Sequence, residues 1–334
     1  MKKRKFIFFI FKFFLFISLK YFKPSKTFAK NKFNTHVLFN KNFLSTIFSP
    51  NHPENPSRIT EILKDLEKKN LKKLIKEISF PKNSIKLDYW IKKIHTSQHI
   101  SALKEKYPIG EKVSRTAVHL CTKGVDKIML GEVKNIFCLT RPPGHHALNT
   151  GKDEGFCFYN HIAITAKYIQ EKYKLSKILI VDWDYHHGNS TELFFYNDPS
   201  VLFFSTHDQF AYPGTGSPLR KGIGKGLGFN VNIHLPCGTE DQTIIKVFEN
   251  TLIQKAENFK PDFILVSAGF DSRENDLLGC FKITDRGFTE LTKIIMNIAK
   301  KNCADRILSI LEGGYNTKGN SQATIQHIKT LSNF

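Results

Sequence analysis

Ile178-Leu179-Ile180-Val181-Asp182-Trp183-Asp184-Tyr185-His186-His187-Gly188-Asn189 is a short apolar strand that breaks into acids and imidazoles. Four consecutive aliphatic residues without alternation describe a strand covered on both faces, the pattern of a parallel sheet. The same grammar recurs on either side. Residues 136–140, 201–205, 229–235, 263–267 and 307–311 are short, apolar and largely β-branched or aromatic, and 36–39 is a candidate first strand. Helical patterns lie at 159–173, 241–258 and 285–301 between strands, and at 59–78 and 114–130 before them. In the stretch 59–78, Ile62, Leu63, Leu66, Leu71, Leu74, Ile75 and Ile78 recur at helical spacing. Continuous apolar strands alternating with helices predict an α/β fold, a parallel sheet covered by helices.

The residues just beyond each strand carry the chemistry. Arg141-Pro142-Pro143-Gly144-His145-His146 comes after the strand at 136–140. Thr206-His207 comes after 201–205, Gly269-Phe270-Asp271 after 263–267, and Glu312-Gly313-Gly314-Tyr315 after 307–311. Ligands of open parallel sheets bind at the carboxyl ends of the strands. Read singly, Asp184 is a helix cap, His186 a satisfied core histidine and His145-His146 an exposed turn. Five strands ending this way describe a site. In an extended chain Asp182, Asp184 and His186 share one side, so Asp184 and His186 grip one ion together, with Asp271 as third ligand. Two carboxylates and an imidazole suit a catalytic divalent ion with open positions. His145 and His146 supply and remove protons beside it, oriented by Asp182 and Asn189, and the Tyr315 phenol donates to a developing oxyanion.

The 334 residues carry 41% apolar and 13% aromatic side chains, enough for a large core. This excludes a disulfide mini-protein and a wholly disordered chain. The formal charge is +20. Ten of the 50 basic residues lie in residues 1–32, which hold no acid, so residues 33–334 carry 40 basic against 30 acidic residues, or +10. Only eight basic residues are Arg, and no basic helix reads as a nucleic-acid motif, so direct nucleic-acid binding is not expected. The six Cys form no CxxC pair and read as buried thiols. Gly222-Ile223-Gly224-Lys225-Gly226-Leu227-Gly228 lacks the phosphate-loop frame and reads as a structural loop. Lys2-Lys3-Arg4-Lys5 and the apolar run after it resemble a signal peptide or membrane anchor. Residues 1–32 are therefore set apart from a catalytic domain at 33–334. Export, or membrane association through residues 5–22, is the expectation, with a cytoplasmic protein as the alternative.

Arg141-Pro142-Pro143-Gly144-His145-His146-Ala147, Gly155-Phe156-Cys157, the stretch 182–189, Tyr212-Pro213-Gly214-Thr215-Gly216, Ser267-Ala268-Gly269-Phe270-Asp271 and Leu311-Glu312-Gly313-Gly314-Tyr315-Asn316 stand in the order found in zinc-dependent histone deacetylases. The chain resembles that family from about residue 36 onward, in wording closest to class II and bacterial members. The family includes acetoin-utilisation-like proteins and acetylpolyamine amidohydrolases. The resemblance implies a three-layer α/β/α arginase/deacetylase-like fold with a mainly parallel, eight-stranded sheet. It implies Zn2+ (or Fe2+) on Asp184, His186 and Asp271, with His146 as general base and acid and His145 as its electrostatic partner. Asp182 would orient His145, Asn189 would lie behind His146, and Tyr315 would polarise the acyl carbonyl. Gly155, Phe156, Tyr212 and Leu278 would line an acyl-lysine tunnel. Ser205, with Asp182, Asp184 and His186, would hold a structural K+, and Arg58 matches an internal acetate cavity.

The implied activity is hydrolysis of an N-acetyl amide, on acetyl-lysine of histones or other proteins or, alternatively, on an acetylated polyamine or other small molecule. Many members carry a rim Asp that holds the substrate backbone. Residues 107–114 have none, and Glu111 is the candidate in its place. An arginase-like ureohydrolase needs more carboxylates at the metal edge than this chain offers, Asn189 standing where a second-metal Asp would be useful. A non-catalytic binding protein of the same fold is the remaining reading.

Overall fold

The computed structural model describes residues 34–49, 51–80 and 85–332. The N-terminal segment at 1–32, with its signal or anchor reading, lies outside them. Among the described residues no helix is long and apolar enough to cross a membrane.

Eight strands form one sheet: β1 (Thr35–Phe39), β2 (Ile75–Glu77), β3 (Asn135–Cys138), β4 (Ile178–Asp182), β5 (Val201–His207), β6 (Asn230–His234), β7 (Phe263–Ala268) and β8 (Ile307–Leu311). Their spatial order is β2-β1-β3-β8-β7-β4-β5-β6, and every pairing is parallel. β4, β7 and β8 are buried at every residue. That is why they read as unbroken apolar runs: with helices above and below, neither face meets water.

Ten α-helices complete the fold among the described residues: α1 (Ser57–Lys68), α2 (Ile85–Ile91), α3 (Ser97–Lys106), α4 (Pro108–Met129), α5 (His161–Tyr173), α6 (Asn189–Phe195), α7 (Asp241–Val247), α8 (Ile253–Phe259), α9 (Asp285–Asn302) and α10 (Thr317–Ser332). α4 and α5 pack on each other and against central strands, while α1, α10 and α9 form a second row with α10 against β1. The strand order positions the site. After β3 the chain crosses to β4, and β8 and β7 later fill the gap. The ends of β3, β8, β7 and β4 therefore stand side by side at roughly 4.8 Å intervals.

Three expectations change. The helix expected over 59–78 stops at Lys68, where Asn70 turns left-handed (φ 58°). Leu71 caps a short 3-10 turn at Lys72–Leu74, and Ile75 pairs with Val37 in the edge strand β2. The apolar spacing there fits a turn and strand as well as a helix. The expected helix at 241–258 is α7 and α8 joined by a π-turn at Phe248–Leu252. Residues 108–114 are not a rim loop but the start of α4, with Pro108 in its first turn, where its missing N–H costs nothing. Glu111 is buried there, accepting from Arg115 Nε at 3.0 Å and Tyr159 Oη at 2.8 Å, so it does not face a rim.

Cys121, Cys138, Cys157 and Cys303 are buried free thiols as expected, whereas Cys237 and Cys280 are joined in a disulfide. Residues 222–228 form a loop leading into β6.

Candidate active site

The break after β4 is built by its own acids. Asp182 Oδ1 accepts from Asp184 N at 3.1 Å, and Asp184 Oδ1 from His186 N at 2.9 Å. These side-chain turns fold the chain back on itself. Asp184 and His186 thus converge through a bend at 184–186 rather than through the pleat of an extended strand. Asp271, beyond β7, is aimed by Tyr185 N, which donates to its Oδ1 at 2.9 Å. His186 Nδ1 then lies 3.2 Å from Asp184 Oδ1 and 3.0 Å from Asp271 Oδ2. One donor atom from each of the three residues falls within 4.8 Å of the others, and both carboxylates are fully buried.

His145 and His146 lie beyond β3 with ring centroids 4.0 Å apart. His145 Nδ1 lies 3.0 Å from Asp182 Oδ2, and His146 Nδ1 lies 2.7 Å from Asn189 Oδ1 at the start of α6. The two partners differ in charge, and so do the rings. Burial lowers the pKa of His145, but Asp184 and Asp182 outweigh it and push it up to about 10. Burial, reinforced by the cationic His145 and His186, holds His146 well below the usual imidazole range. The pair is one imidazolium and one neutral ring. An amide oxygen only accepts, so His146 keeps its proton on Nδ1 and its lone pair on Nε2.

The ligand triad is electrostatically crowded. Burial opposes ionisation of Asp184, yet His145 and His186 hold it well below the usual carboxylate range. Burial and the neighbouring Asp184 push Asp271 up to about 7. Burial lowers His186, but hydrogen bonds to Asp184 and Asp271 carry it to about 10. Three donors that compete for protons in one buried spot suit a divalent cation, which takes the protons' place.

Tyr315 lies beyond β8 and is almost fully buried, which pushes its phenol well above its ordinary pKa and keeps the proton on oxygen. Its ring stands edge-on to Phe156 with centroids 5.8 Å apart, and Arg58 lies 4.8 Å over its face. Tyr212 meets the His146 ring edge-on at 5.0 Å. Gly155 (φ 52°) fits between them: a Cβ there would fall 2.5 Å from His146 Cδ2 and 2.8 Å from Tyr212 Cε1. Leu278 is 40% exposed, on the loop whose Asp276 accepts from Tyr315 N at 2.6 Å. Ser205 stands opposite Asp182 in the sheet register, with its Oγ 2.8 Å from His207 Nδ1. Arg58 is buried, donating to Gly314 O at 2.7 Å and to Glu312 O.

Two residues given no role in the sequence reading complete the frame. Glu54 is wholly buried and takes both nitrogens of a fork from Arg141, at 2.8 and 2.7 Å, while also pairing with Arg58. Glu312 is buried beside the histidine turn. A lone carboxylate at the end of an apolar strand was the visible signal for Glu312. No local pattern singles out Glu54.

A model of the histone deacetylase domain matches residues 108–331. A probable deacetylase of Archaeoglobus fulgidus is 33% identical over 298 residues, covering 85% of this chain and 82% of the relative. Histone deacetylase 15 of Arabidopsis thaliana is 34% identical over 304 residues, covering 84% of this chain, which spans 52% of that relative's length. The crystal structure of the HDA15 HD domain superposes with a TM-score of 0.81 at 33% identity, covering 89% of this chain and 90% of that one. The HDA15 HD domain thus shares this fold.

Proposed function

The chain belongs to the histone deacetylase family of amidohydrolases, and from that premise we propose that it is a zinc-dependent deacetylase that hydrolyses acetyl-lysine to acetate and free amine. The observation that carries the reading is the buried convergence of Asp184, His186 and Asp271 within 4.8 Å, flanked by one charged and one neutral imidazole. Asp184, His186 and Asp271 would hold Zn2+, or Fe2+, which the same donors accept. Bound there, the ion would supply Lewis-acid polarisation of the acyl oxygen and acidify a water.

The chain's own groups do the rest. His146 Nε2 takes the proton of the attacking water, while Asn189 holds the ring by its Nδ1–H. Tyr315 donates its hydroxyl hydrogen to the acyl oxygen as charge builds on it. His146 then gives the proton it took from the water to the departing amine, beside the His145 imidazolium that Asp182 stabilises. Phe156, Tyr212, Gly155 and Leu278 would line the passage for an extended methylene chain; the edge-on contacts of Phe156 with Tyr315 and of Tyr212 with His146 support this. The position of Ser205 beside Asp182 supports a structural K+ site there, and Arg58 against Tyr315 supports a cavity for departing acetate.

A second reading, a small acylated amine such as an acetylpolyamine, is favoured by one observation. Glu111 is occupied by Arg115 and Tyr159, so residues 107–114 offer no free carboxylate to hold a peptide backbone. The basic, apolar residues 1–32 support export or membrane association, where small amines are met more readily than chromatin. Acetyl-lysine peptides set against acetylated putrescine and spermidine separate the readings. Peptide turnover by the zinc-loaded full chain supports the first, and polyamine turnover alone replaces it with the second.

A further inference from the structure

We propose that Glu312 is a positioning residue, whose carboxylate ties the backbone of the His145-His146 turn to the strand end that carries Tyr315. Its consequence for turnover rests on the amidohydrolase reading above; its geometry does not. Glu312 is wholly buried at the end of β8. Its Oε2 accepts from Gly144 N at 2.6 Å and from His145 N at 3.2 Å, and its Oε1 has no hydrogen-bond partner among the described residues. A buried carboxyl with one bare oxygen is costly to keep; what the side chain supplies is the reach of a single oxygen to two backbone N–H groups, a reach that a glutamine amide shares and an aspartate lacks.

The neighbours show what the tie accomplishes. Ser190 Oγ on α6 donates to His145 O at 2.8 Å. The His145 residue is thus held at both its N–H and its carbonyl, from two different elements. The next residue along, Gly313, donates its N–H to Asp184 Oδ2 at 2.8 Å and accepts from Phe270 N at 3.0 Å, one residue before Asp271. Residues 312–315 therefore hold the imidazole turn, one ligand carboxylate, the strand end bearing another, and the phenol. Arg58 braces this loop from behind through Glu312 O and Gly314 O. Within the loop, Glu312 is the tie that reaches the turn after β3. Without it the imidazole turn keeps its Asp182, Asn189 and Ser190 contacts but loses its backbone tie to the strand end that bears Tyr315.

The test uses the full, metal-loaded chain with Glu312→Ala, Glu312→Gln and Glu312→Asp. Glutamine keeps one oxygen at the same reach for both N–H groups, whereas aspartate keeps the charge and loses the reach. The expected result is a fall in kcat of about 10²-fold for alanine, the scale of a 1 Å misplacement. KM and bound metal stay near wild type, and glutamine restores most of the rate. Amide exchange over residues 141–149 quickens in the alanine variant and not in the glutamine variant. A folded alanine variant with wild-type kcat and exchange overturns the proposal. So does a loss that tracks metal content, or one that glutamine does not rescue. Should the alanine variant fail to fold, an aspartate variant as active as the glutamine one overturns it, because charge rather than reach would then matter. Should the wild type hydrolyse no acyl amide, the functional reading fails, and the exchange contrast alone decides the tie.

Discussion

Gly313→Ala should disable the metal centre while leaving the fold intact. The backbone at Gly313 lies outside the left-handed region, so alanine is conformationally acceptable there, and only space opposes it. A Cβ would sit 2.1 Å from Asp271 Oδ2, 2.6 Å from its Cγ and 2.7 Å from Asp184 Oδ2. Ordinary contact begins near 3.4 Å, so the Asp271 carboxylate must retreat by about 1.3 Å. That oxygen is the one facing His186 Nδ1 at 3.0 Å, and the retreat opens the ligand triangle. Disturbing the support of metal ligands typically costs 10–100-fold in affinity, and a misplacement of about 1 Å costs about 10² in rate. Chelator competition for zinc should therefore show affinity down by one to two orders of magnitude. Acetate release at saturating zinc should stay about 10²-fold low, with an unchanged far-UV spectrum. A folded variant with wild-type zinc affinity and turnover would refute the placement of the metal between Asp184, His186 and Asp271.

The same geometry sets other outcomes. Tyr315→Phe should lower kcat by about 10²–10³, the usual loss for one oxyanion donor, with KM little changed; steady-state kinetics decide, and a fully active variant removes the phenol from the mechanism. Asp182→Asn keeps a partner for His145 Nδ1 but removes the charge that helps hold its pKa at about 10. The alkaline limb of the kcat–pH profile should move to lower pH, and an unmoved limb would show that His145 is not the titrating group. Glu192 is depressed to about 2: burial raises it, but His187, Asn232 and Arg220 more than offset that. A depressed carboxylate contributes stability that is present above its ordinary pKa and lost as pH falls towards about 2, at about 1.4 kcal/mol per unit of depression. Glu192→Gln should thus be less stable than wild type in urea at pH 7, with the gap narrowing below about pH 4.5 and closing only towards pH 2; a pH-independent gap would contradict this.

Much of the sheet was legible because buried parallel strands have no wet face. Ile178–Asp182 and Ile307–Leu311 read as strands from composition alone, with bounds that match. Ile75–Glu77 did not, because a three-residue edge strand carries too little pattern to stand out from the preceding helical spacing. The ligands and imidazoles were legible because polar residues at the ends of apolar strands are conspicuous. Their convergence was not derivable from the pleat, since the bend at 184–186 depends on hydrogen bonds to Asp182 and Asp184 side chains. Glu54 pairs with Arg58 four residues on but also joins Arg141 across 87 residues of sequence, a contact set by tertiary packing that no local spacing encodes. Glu111 misled for the complementary reason: its chemistry suits a rim, but α4 turns it inward to Arg115.

The most direct measurement is acetate release from an acetyl-lysine peptide by the metal-loaded full chain beside His146→Ala with the same metal content. The wild type should free one acetate per lysine, and the variant should fall by about 10²–10⁴, the contribution of a positioned general base. Equal rates from the two, or a fully metallated wild type that releases no acetate from any acyl amide offered, would contradict the account.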